Sequence, residues 1–243
     1  MTVNLERTLQ DLESVQDDCT LGVVLTNTCE RYGLKSLAYM ATGPLTPRRQ
    51  GGEPFIAVTY SAEWVERYRT REYVKIDPVV QTGLRRLLPF DWGELHTLGP
   101  EVAALFDEAA QFGLGRNGIS FPVHGLFGDR ALLSATSDLR GMDWQSARLK
   151  ILGEFPIVAT HLHHAVLRSH GIDQRLPHLA PREIECLQWI SEGKTFWEVG
   201  KILGLSEHTV RTYLESARHK LRATSTAHAV SIALKRGLLL KLA

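Results

Sequence analysis

The feature that most constrains the fold of this chain is the close succession of helix start and stop signals in its last 65 residues. Pro181 opens a helix that should end in the left-handed conformation at Gly193. Thr195 and Glu198 have the spacing of a capping box, in which each side chain satisfies a backbone amide at the start of a helix. This second helix must be short, because Gly204 follows closely and ends it.

Two more helices are predicted after this short one. Ser206 caps a third helix over residues 207–221, and Ser225 or Thr226 starts a fourth that ends at Gly237. A short helix joined to the next one by a tight turn that contains glycine is the geometry of a helix-turn-helix. Because no convincing strand interrupts these helices, the segment predicts an all-α unit of four helices.

The predicted third helix separates an apolar face from a polar one. Its inward stripe consists of Val210, Leu214, Ala217 and Leu221. Arg211 and Thr212 lie on the opposite side, where arginine can form two hydrogen bonds with guanine and threonine can contact a base edge or a thymine methyl. The predicted DNA-contact residues are Trp189, Lys194, Thr209, Arg211, Thr212, Tyr213 and Lys220. A plain helical bundle with a solvated polar face is the alternative that this pattern leaves open.

Residues 178–238 resemble the C-terminal DNA-binding domain of LuxR-type regulators. The matching marks are Pro181-Arg182-Glu183, Leu187, Gly193, the segment ILGLSEHTVR and Lys220-Leu221. The resemblance implies that Glu183, Leu187 and Gly193 build the fold and do not contact DNA. Ala180 stands where the family usually has a threonine cap, which should cost about 1 kcal/mol of helix stability.

The charge distribution indicates a polyanion partner for the C-terminal segment only. The chain has a formal net charge of +1, but residues 171–243 contain 11 basic and 7 acidic side chains, whereas residues 1–170 contain 17 and 20. The three cysteines have no paired metal-ligand spacing, so neither a zinc site nor a disulfide framework is expected. The acidic N-terminus is unlike a signal peptide and no apolar run could cross a bilayer, so we expect a reduced, cytoplasmic protein without a membrane partner.

Residues 1–170 predict an α+β domain in which strands and helices interleave. The predicted strands cover residues 36–42, 54–60, 117–123 and 130–137. The predicted helices lie within residues 4–32, after the N-caps Ser61 and Asp77, and over residues 100–112 and 142–169. Pro156 should kink or split the last helix. We therefore predict one domain at 1–170, a linker at 171–178 and a second domain at 179–243.

Aromatic and acidic side chains between Tyr60 and Trp92 have the chemistry of a small-molecule site. The indole of Trp64 can donate to a lactone or ketone carbonyl, a tyrosine hydroxyl to an amide carbonyl, and the Asp77 carboxylate can accept from an amide N–H. Apolar walls with a few fixed polar groups are typical of ligand pockets. The same residues fit a simpler interpretation, in which the rings fill the core and Asp77 caps the helix that starts at Pro78.

Residues 33–138 resemble the autoinducer-binding domain of LuxR-type proteins. The resemblance rests on the spacing of Trp64, Tyr68, Asp77 and Trp92 and on the segments YVKIDPVV and LPFDWGEL. It implies an α-β-α sandwich with a central antiparallel sheet that binds an N-acyl-homoserine lactone. The ligand-contact residues that it implies are Tyr60, Trp64, Tyr68, Asp77, Trp92, Phe106, Ala109 and Ser134.

The resemblance also implies a role for each of these side chains. Trp64 would bond the lactone carbonyl and Asp77 the amide N–H, while Tyr60 and Ser134 would bond the acyl carbonyl. The other four would pack along the acyl chain and the ring. The residues expected to shape the pocket of the acyl tail are Leu37, Ala38 and Tyr39.

Both resemblances together imply a quorum-sensing transcription regulator with no cofactor and no catalytic site. A lactone with an acyl or aryl group would control the binding of a homodimer to a palindromic site in promoter DNA, and the helix at 142–169 would form the dimer interface. The alternative is a helix-turn-helix regulator that is ligand-independent or is gated by a different small molecule.

Two other classes are less consistent with the sequence. A phosphorylated receiver domain needs an acidic pair after its first strand, but Asp17-Asp18 lies in a predicted helix. An enzyme with a metal site would draw its ligands from His161, His163, His164 and His170. No acid near these histidines completes such a site, so solvated or interfacial histidines are the preferred interpretation.

Overall fold

A computed structural model of the chain describes residues 2–43, 54–95, 99–115, 117–125, 128–172 and 178–239. The chain divides into two compact units, the first of which comprises residues 1–125 and 129–173 and the second residues 126–128 and 174–243. Most of the predicted linker, residues 173–177, lies outside the described residues. Within the described ranges, every helix is too short or too polar to span a lipid bilayer.

The first unit is built from interleaved helices and strands. Its helices are α1 (Val3–Glu13), α2 (Asp18–Tyr32), α3 (Ala62–Thr70), α4 (Pro78–Gly83), α5 (Pro100–Gln111) and α6 (Gly141–Ser169). Its strands are β1 (Ser36–Thr42), β2 (Phe55–Val58), β3 (Phe90–Asp91), β4 (Asn117–His124) and β5 (Arg130–Ser137). Ser61 and Asp77 cap α3 and α4 as predicted, by accepting hydrogen bonds from the amides of Trp64 and Val79.

The five strands form one antiparallel sheet in the order β2-β1-β5-β4-β3. Because successive side chains of a strand point to opposite faces, Leu37, Tyr39 and Ala41 face one side, where they join the main core with residues of α1, α2 and α6. On the other face, Leu132 of β5 packs against smaller clusters that include residues of α4 and α5. The predicted α-β-α sandwich with a central antiparallel sheet is therefore confirmed.

The structure narrows one local prediction for this unit, since of the kink or split expected at Pro156 only the split is excluded, and it adds a strand that was not predicted. Helix α6 is continuous through Pro156, so the proline does not split it. Its buried face, which includes Phe155, Val158 and Leu162, packs into the main core and holds both halves in place. The strand β3 was not predicted, because two residues are too few to show an alternating pattern.

The second unit contains α7 (Pro181–Ser191), α8 (Phe196–Leu203), α9 (Glu207–Lys220) and α10 (Thr226–Lys235). Thr195 and Glu198 form the predicted capping box at the start of α8, and Gly204 ends this helix in the left-handed conformation. Ser206 caps α9 by accepting from the amide of Thr209 at 3.0 Å. The helices enclose a separate core, so the predicted all-α unit of four helices is confirmed.

Glu183 joins the first and third helices of this unit. It is only 3% exposed, and its carboxylate accepts hydrogen bonds from the Ala180 amide, the Ser216 hydroxyl and the Lys220 ammonium at 2.7 to 2.9 Å. Burial opposes ionisation of Glu183, but these hydrogen bonds outweigh it and hold the pKa of the carboxyl below its ordinary value. At the start of α7, Ala180 has no side-chain acceptor that could cap the helix. The side-chain capping bond there is the one that Glu183 accepts from the Ala180 amide.

We predict that Glu183→Gln destabilises the second unit by about 2 kcal/mol at neutral pH, because it weakens charge-assisted hydrogen bonds to a buried carboxylate. The depressed pKa means that this stabilisation is present above the ordinary glutamate pKa of about 4.3 and is lost as the pH falls through the lower folded value. The measurement is denaturation of the full chain, with amide hydrogen exchange of residues 178–239 as the local readout.

The matched control is Glu185→Gln, since Glu185 makes an exposed ion pair with Arg182 on the same helix. Such a pair contributes little to stability. Equal destabilisation by the two variants would contradict the role given to Glu183.

Candidate functional sites

The first unit contains a cavity of about 510 Å³ between the sheet and helices α3, α4 and α5. All the ligand-contact residues predicted from the sequence line it, namely Tyr60, Trp64, Tyr68, Asp77, Trp92, Phe106, Ala109 and Ser134. The structure thus brings together side chains that come from helices α3 and α5, strand β5 and the segments between the elements. A volume of this size is ordinary for a small-molecule site.

The sheet supplies the floor of the cavity through the residues of its second face. Paired positions run across the strands from Val58 to Ala38 and Ser134, and from Ile56 to Met40 and Leu132. Leu37 was expected along the acyl tail, but it is buried in the main core on the opposite face. That expectation was wrong because neighbouring residues of one strand cannot all point to the same side of a sheet.

Within the part of the chain that the structure describes, two hydrogen-bond donors at the cavity have no protein acceptor. Trp64 is 2% exposed and packs against Tyr68, Tyr73 and Phe112, and Tyr60 is partly buried. Among the described hydrogen bonds, neither the indole N–H of Trp64 nor the hydroxyl of Tyr60 is a donor, whereas every fully buried polar side-chain atom has a partner. Both groups therefore reach the cavity surface, where a ligand oxygen could accept from them.

Asp77 provides an acidic group at the cavity whose contacts are fixed. One carboxylate oxygen accepts from the Val79 amide at 2.8 Å, and the other accepts from the Tyr68 hydroxyl at 2.7 Å. Burial raises the pKa of Asp77, while the hydrogen bonds from Tyr68 and from backbone amides partly counter that effect. Burial also raises the pKa of Tyr68, with the nearby Asp77 charge adding to it. Asp77 is thus both the N-cap of α4 and a fixed acceptor at the cavity.

Trp92 and Ser134 are connected by a residue that sequence reasoning missed. The Trp92 indole donates to Ser120 Oγ at 2.9 Å, and Ser120 Oγ lies 2.7 Å from Ser134 Oγ. A Cβ atom at Gly118 would lie 2.2 Å from the Trp92 ring, so only glycine lets the ring lie against β4. Ser120 could have been found from strand alternation, since it shares a face of β4 with Gly118.

Glu108 on α5 is a second residue that the sequence did not reveal. It accepts hydrogen bonds from Arg67 of α3, at 2.6 Å to Nε, and from the hydroxyl of Tyr73. These contacts tie together two helices that border the cavity. Nothing in the sequence indicates this pairing, because 41 positions separate Arg67 from Glu108.

The predicted DNA-contact residues of the second unit fall into two groups. Lys194, Arg211 and Thr212 are exposed, and Thr209 is partly buried at the N-terminal end of α9. Trp189 and Tyr213 are partly buried against the helical core, and the ammonium of Lys220 bonds Glu183. The N-terminal half of α9 therefore presents the polar surface that a recognition helix needs.

The histidines that could have suggested a metal site have other surroundings. Nδ1 of buried His163 lies 2.7 Å from the Tyr39 hydroxyl, and its Nε2 is paired with the carboxylate of Asp129. His170 lies 3.3 Å from a carboxylate oxygen of Asp18. Over the described ranges, histidines, cysteines and acids form no group of three that could hold a metal ion.

Comparison with known proteins assigns a described family to each part of the chain. The family described as autoinducer binding domain matches residues 20–166, and that described as bacterial regulatory proteins, luxR family, matches residues 177–233. The transcriptional activator protein RaiR of Rhizobium etli is 35% identical over 176 residues, which are 72% of this chain and 73% of RaiR.

Solved structures share the fold at lower sequence identity. SdiA of Escherichia coli has a TM-score of 0.71 at 22% identity and covers 98% of each chain, and SdiA has also been solved in complex with octanoyl-rac-glycerol. CepR2 of Burkholderia cenocepacia, described as an N-acylhomoserine lactone dependent LuxR family transcription factor, has a TM-score of 0.56 at 18% identity over 69% of this chain and 96% of CepR2. The chain belongs to the LuxR family of quorum-sensing transcription regulators and combines an autoinducer-binding domain with a helix-turn-helix DNA-binding domain.

Proposed function

We propose that the chain binds an N-acyl- or aryl-homoserine lactone in the cavity of its first unit and thereby controls how a homodimer binds palindromic promoter DNA. In this proposal residues 1–170 form the ligand-binding and dimerisation domain, residues 171–178 the linker and residues 179–243 the DNA-binding domain. The observation that carries the proposal is that Trp64 and Tyr60, cavity donors without an acceptor among the described residues, line the same cavity as the acceptor Asp77.

The polar groups of a homoserine lactone match this set. The ligand has a ring carbonyl, an amide carbonyl and one amide N–H, so it needs two groups of donors and one acceptor. We assign the ring carbonyl to Trp64, the amide N–H to Asp77, and the amide carbonyl to Tyr60 and Ser134. If Ser120 accepts from Trp92 and donates to Ser134, the Ser134 proton remains to be donated to the amide carbonyl.

The apolar remainder of the cavity suits an acyl group. Met40, Ile56 and Leu132 form its sheet side, and Phe106 and Ala109 lie on α5. Apolar surface and unmatched donors at one cavity both destabilise the unit, and a ligand that fills the space removes both costs. A ligand that binds the folded unit raises its apparent stability by mass action.

The proposed homodimer interface lies on α6. Met142, Leu149 and Ile157 are exposed apolar residues of this helix, with Gly153 between them. At about 100° per residue they lie within about 80° of one another, directly opposite the face that is buried in the core. An exposed apolar stripe of this kind marks a protein interaction surface.

Our first functional prediction concerns Trp64. Trp64→Phe keeps the aromatic packing but removes the indole N–H, so the Kd for N-acyl-homoserine lactones should rise about tenfold. Titration calorimetry with a series of lactones of increasing acyl length provides the measurement. The variant without ligand should melt close to the wild type, and an unchanged lactone Kd would contradict the assigned role.

A second prediction separates a lactone from other acyl ligands. Asp77→Asn keeps a good N-cap for α4 but removes the carboxylate that accepts the amide N–H, so it should weaken lactone binding about tenfold or more. Octanoyl-rac-glycerol, which has no amide N–H, is the matched probe and should lose little affinity. If octanoyl-rac-glycerol binds the wild type and every lactone fails, the cavity serves a different acyl ligand and the regulator is gated by that molecule.

The third prediction tests the interface. Leu149→Glu places a charge in the centre of the stripe and should convert dimer to monomer in sedimentation velocity with lactone present, because a buried unpaired charge is costly. Leu88→Glu is the control, since Leu88 is equally exposed but lies outside α6. Dimerisation of the Leu149 variant at wild-type concentration would contradict the assignment.

A further inference from the structure

The side chain of Arg211 is held by two neighbours although it lies on an exposed surface. Its guanidinium carbon lies 4.6 Å from the centre of the Phe196 ring, which is on the preceding helix α8. Its Nε and Nη2 donate to the same carboxylate oxygen of Glu207, one turn earlier on α9, at 3.2 and 2.6 Å. The Arg211 side chain nevertheless remains 57% exposed.

These two contacts leave one edge of the guanidinium open. The ring of Phe196 covers a flat face, and Glu207 occupies the edge formed by Nε and Nη2. In the part of the chain that the structure describes, no acceptor is bonded to Nη1. The outer edge, formed by Nη1 and Nη2, is therefore the part that can offer two parallel N–H groups to O6 and N7 of guanine.

We propose that Phe196 and Glu207 are positioning residues that set which base Arg211 recognises. The inference rests on the proposed DNA-binding function, and it adds two residues that are not themselves expected to touch a base. Phe196 lies on the helix before the turn and Glu207 in the first turn of α9, so the helix-turn-helix packing itself fixes the orientation of Arg211.

The physical reason lies in side-chain entropy. A mobile arginine loses its rotamer freedom when it pairs with a base, whereas a stacked and tethered arginine has lost part of it before DNA arrives. A fixed orientation also favours guanine over bases that cannot accept two hydrogen bonds. Glu207 is a negative charge on the DNA-facing helix, so it lowers the affinity for any duplex while it raises selectivity.

The experiment selects binding sites from a random duplex pool with the full-length protein, in the presence of a lactone that binds it. The base pair at which Arg211→Ala loses its preference identifies the position that Arg211 reads. Phe196→Leu should lose about fivefold in affinity for the preferred base pair at that position and keep the other preferences. Phe196→Tyr retains an aromatic ring, so it should keep the base preferences of the wild type.

Glu207→Gln provides an independent test, because its effect on unselective binding should be opposite in direction to its effect on selectivity. Its affinity for random duplex should rise, because one negative charge is removed, while its ratio of specific to random affinity should fall at the Arg211 position. Neither Phe196→Leu nor Glu207→Gln should change the profile further when Arg211 is already alanine. If Glu207 acted through its charge alone, Glu207→Gln would raise the affinities for specific and for random duplex equally and leave their ratio unchanged.

Trp197→Leu is the matched control, because Trp197 is the adjacent aromatic residue of α8 and stacks with Lys201 instead. It should leave the preference at the Arg211 position intact. The inference is overturned if Phe196→Leu retains the wild-type profile while Arg211→Ala loses it, or if Trp197→Leu gives the same change as Phe196→Leu. Failure of the wild type to select any sequence would instead overturn the proposed function.

Discussion

The structure of the first unit depends on the cost of polar groups that face a largely apolar cavity. Trp64 and Tyr60 present hydrogen-bond donors to a cavity of about 510 Å³, and Asp77 presents an acceptor whose charge is disfavoured by burial. A protein that merely needed a core would fill this space with apolar side chains. We therefore propose that the remaining hydrogen-bond partners of these cavity groups belong to a ligand.

The sheet makes such a site possible because its two faces have different surroundings. One face packs against α1, α2 and α6 in the main core, and the other lines the cavity. In the second unit, Glu183 ties α7 to α9, so that α9 can present Arg211 on a fixed frame.

Local signals in the sequence were sufficient to predict much of this arrangement. Caps such as Asp77, Thr195 and Ser206 act within one helical turn, so their effect can be read from neighbouring residues. The set of cavity residues was predicted from its spacing and from its resemblance to a family, and the structure brings that set together.

Contacts between residues far apart in the chain were not accessible to the same reasoning. The partnerships of Glu108 with Arg67 and of Phe196 with Arg211 depend on how elements pack, which no local pattern encodes. Strand alternation is a signal that the sequence does contain, and it would have corrected the placement of Leu37 and placed Ser120 on the face of β4 that Gly118 shares.

The most direct test of the account is the indole N–H signal of Trp64 in nitrogen-15 NMR spectra of the full-length protein. The chain has five tryptophans, and Trp64→Phe identifies the relevant signal. Addition of a saturating N-acyl-homoserine lactone should move that signal in the direction of a new hydrogen bond, while the Trp92 signal, whose N–H is already bonded to Ser120, should change much less. A bound lactone that leaves the Trp64 signal in place would contradict the account.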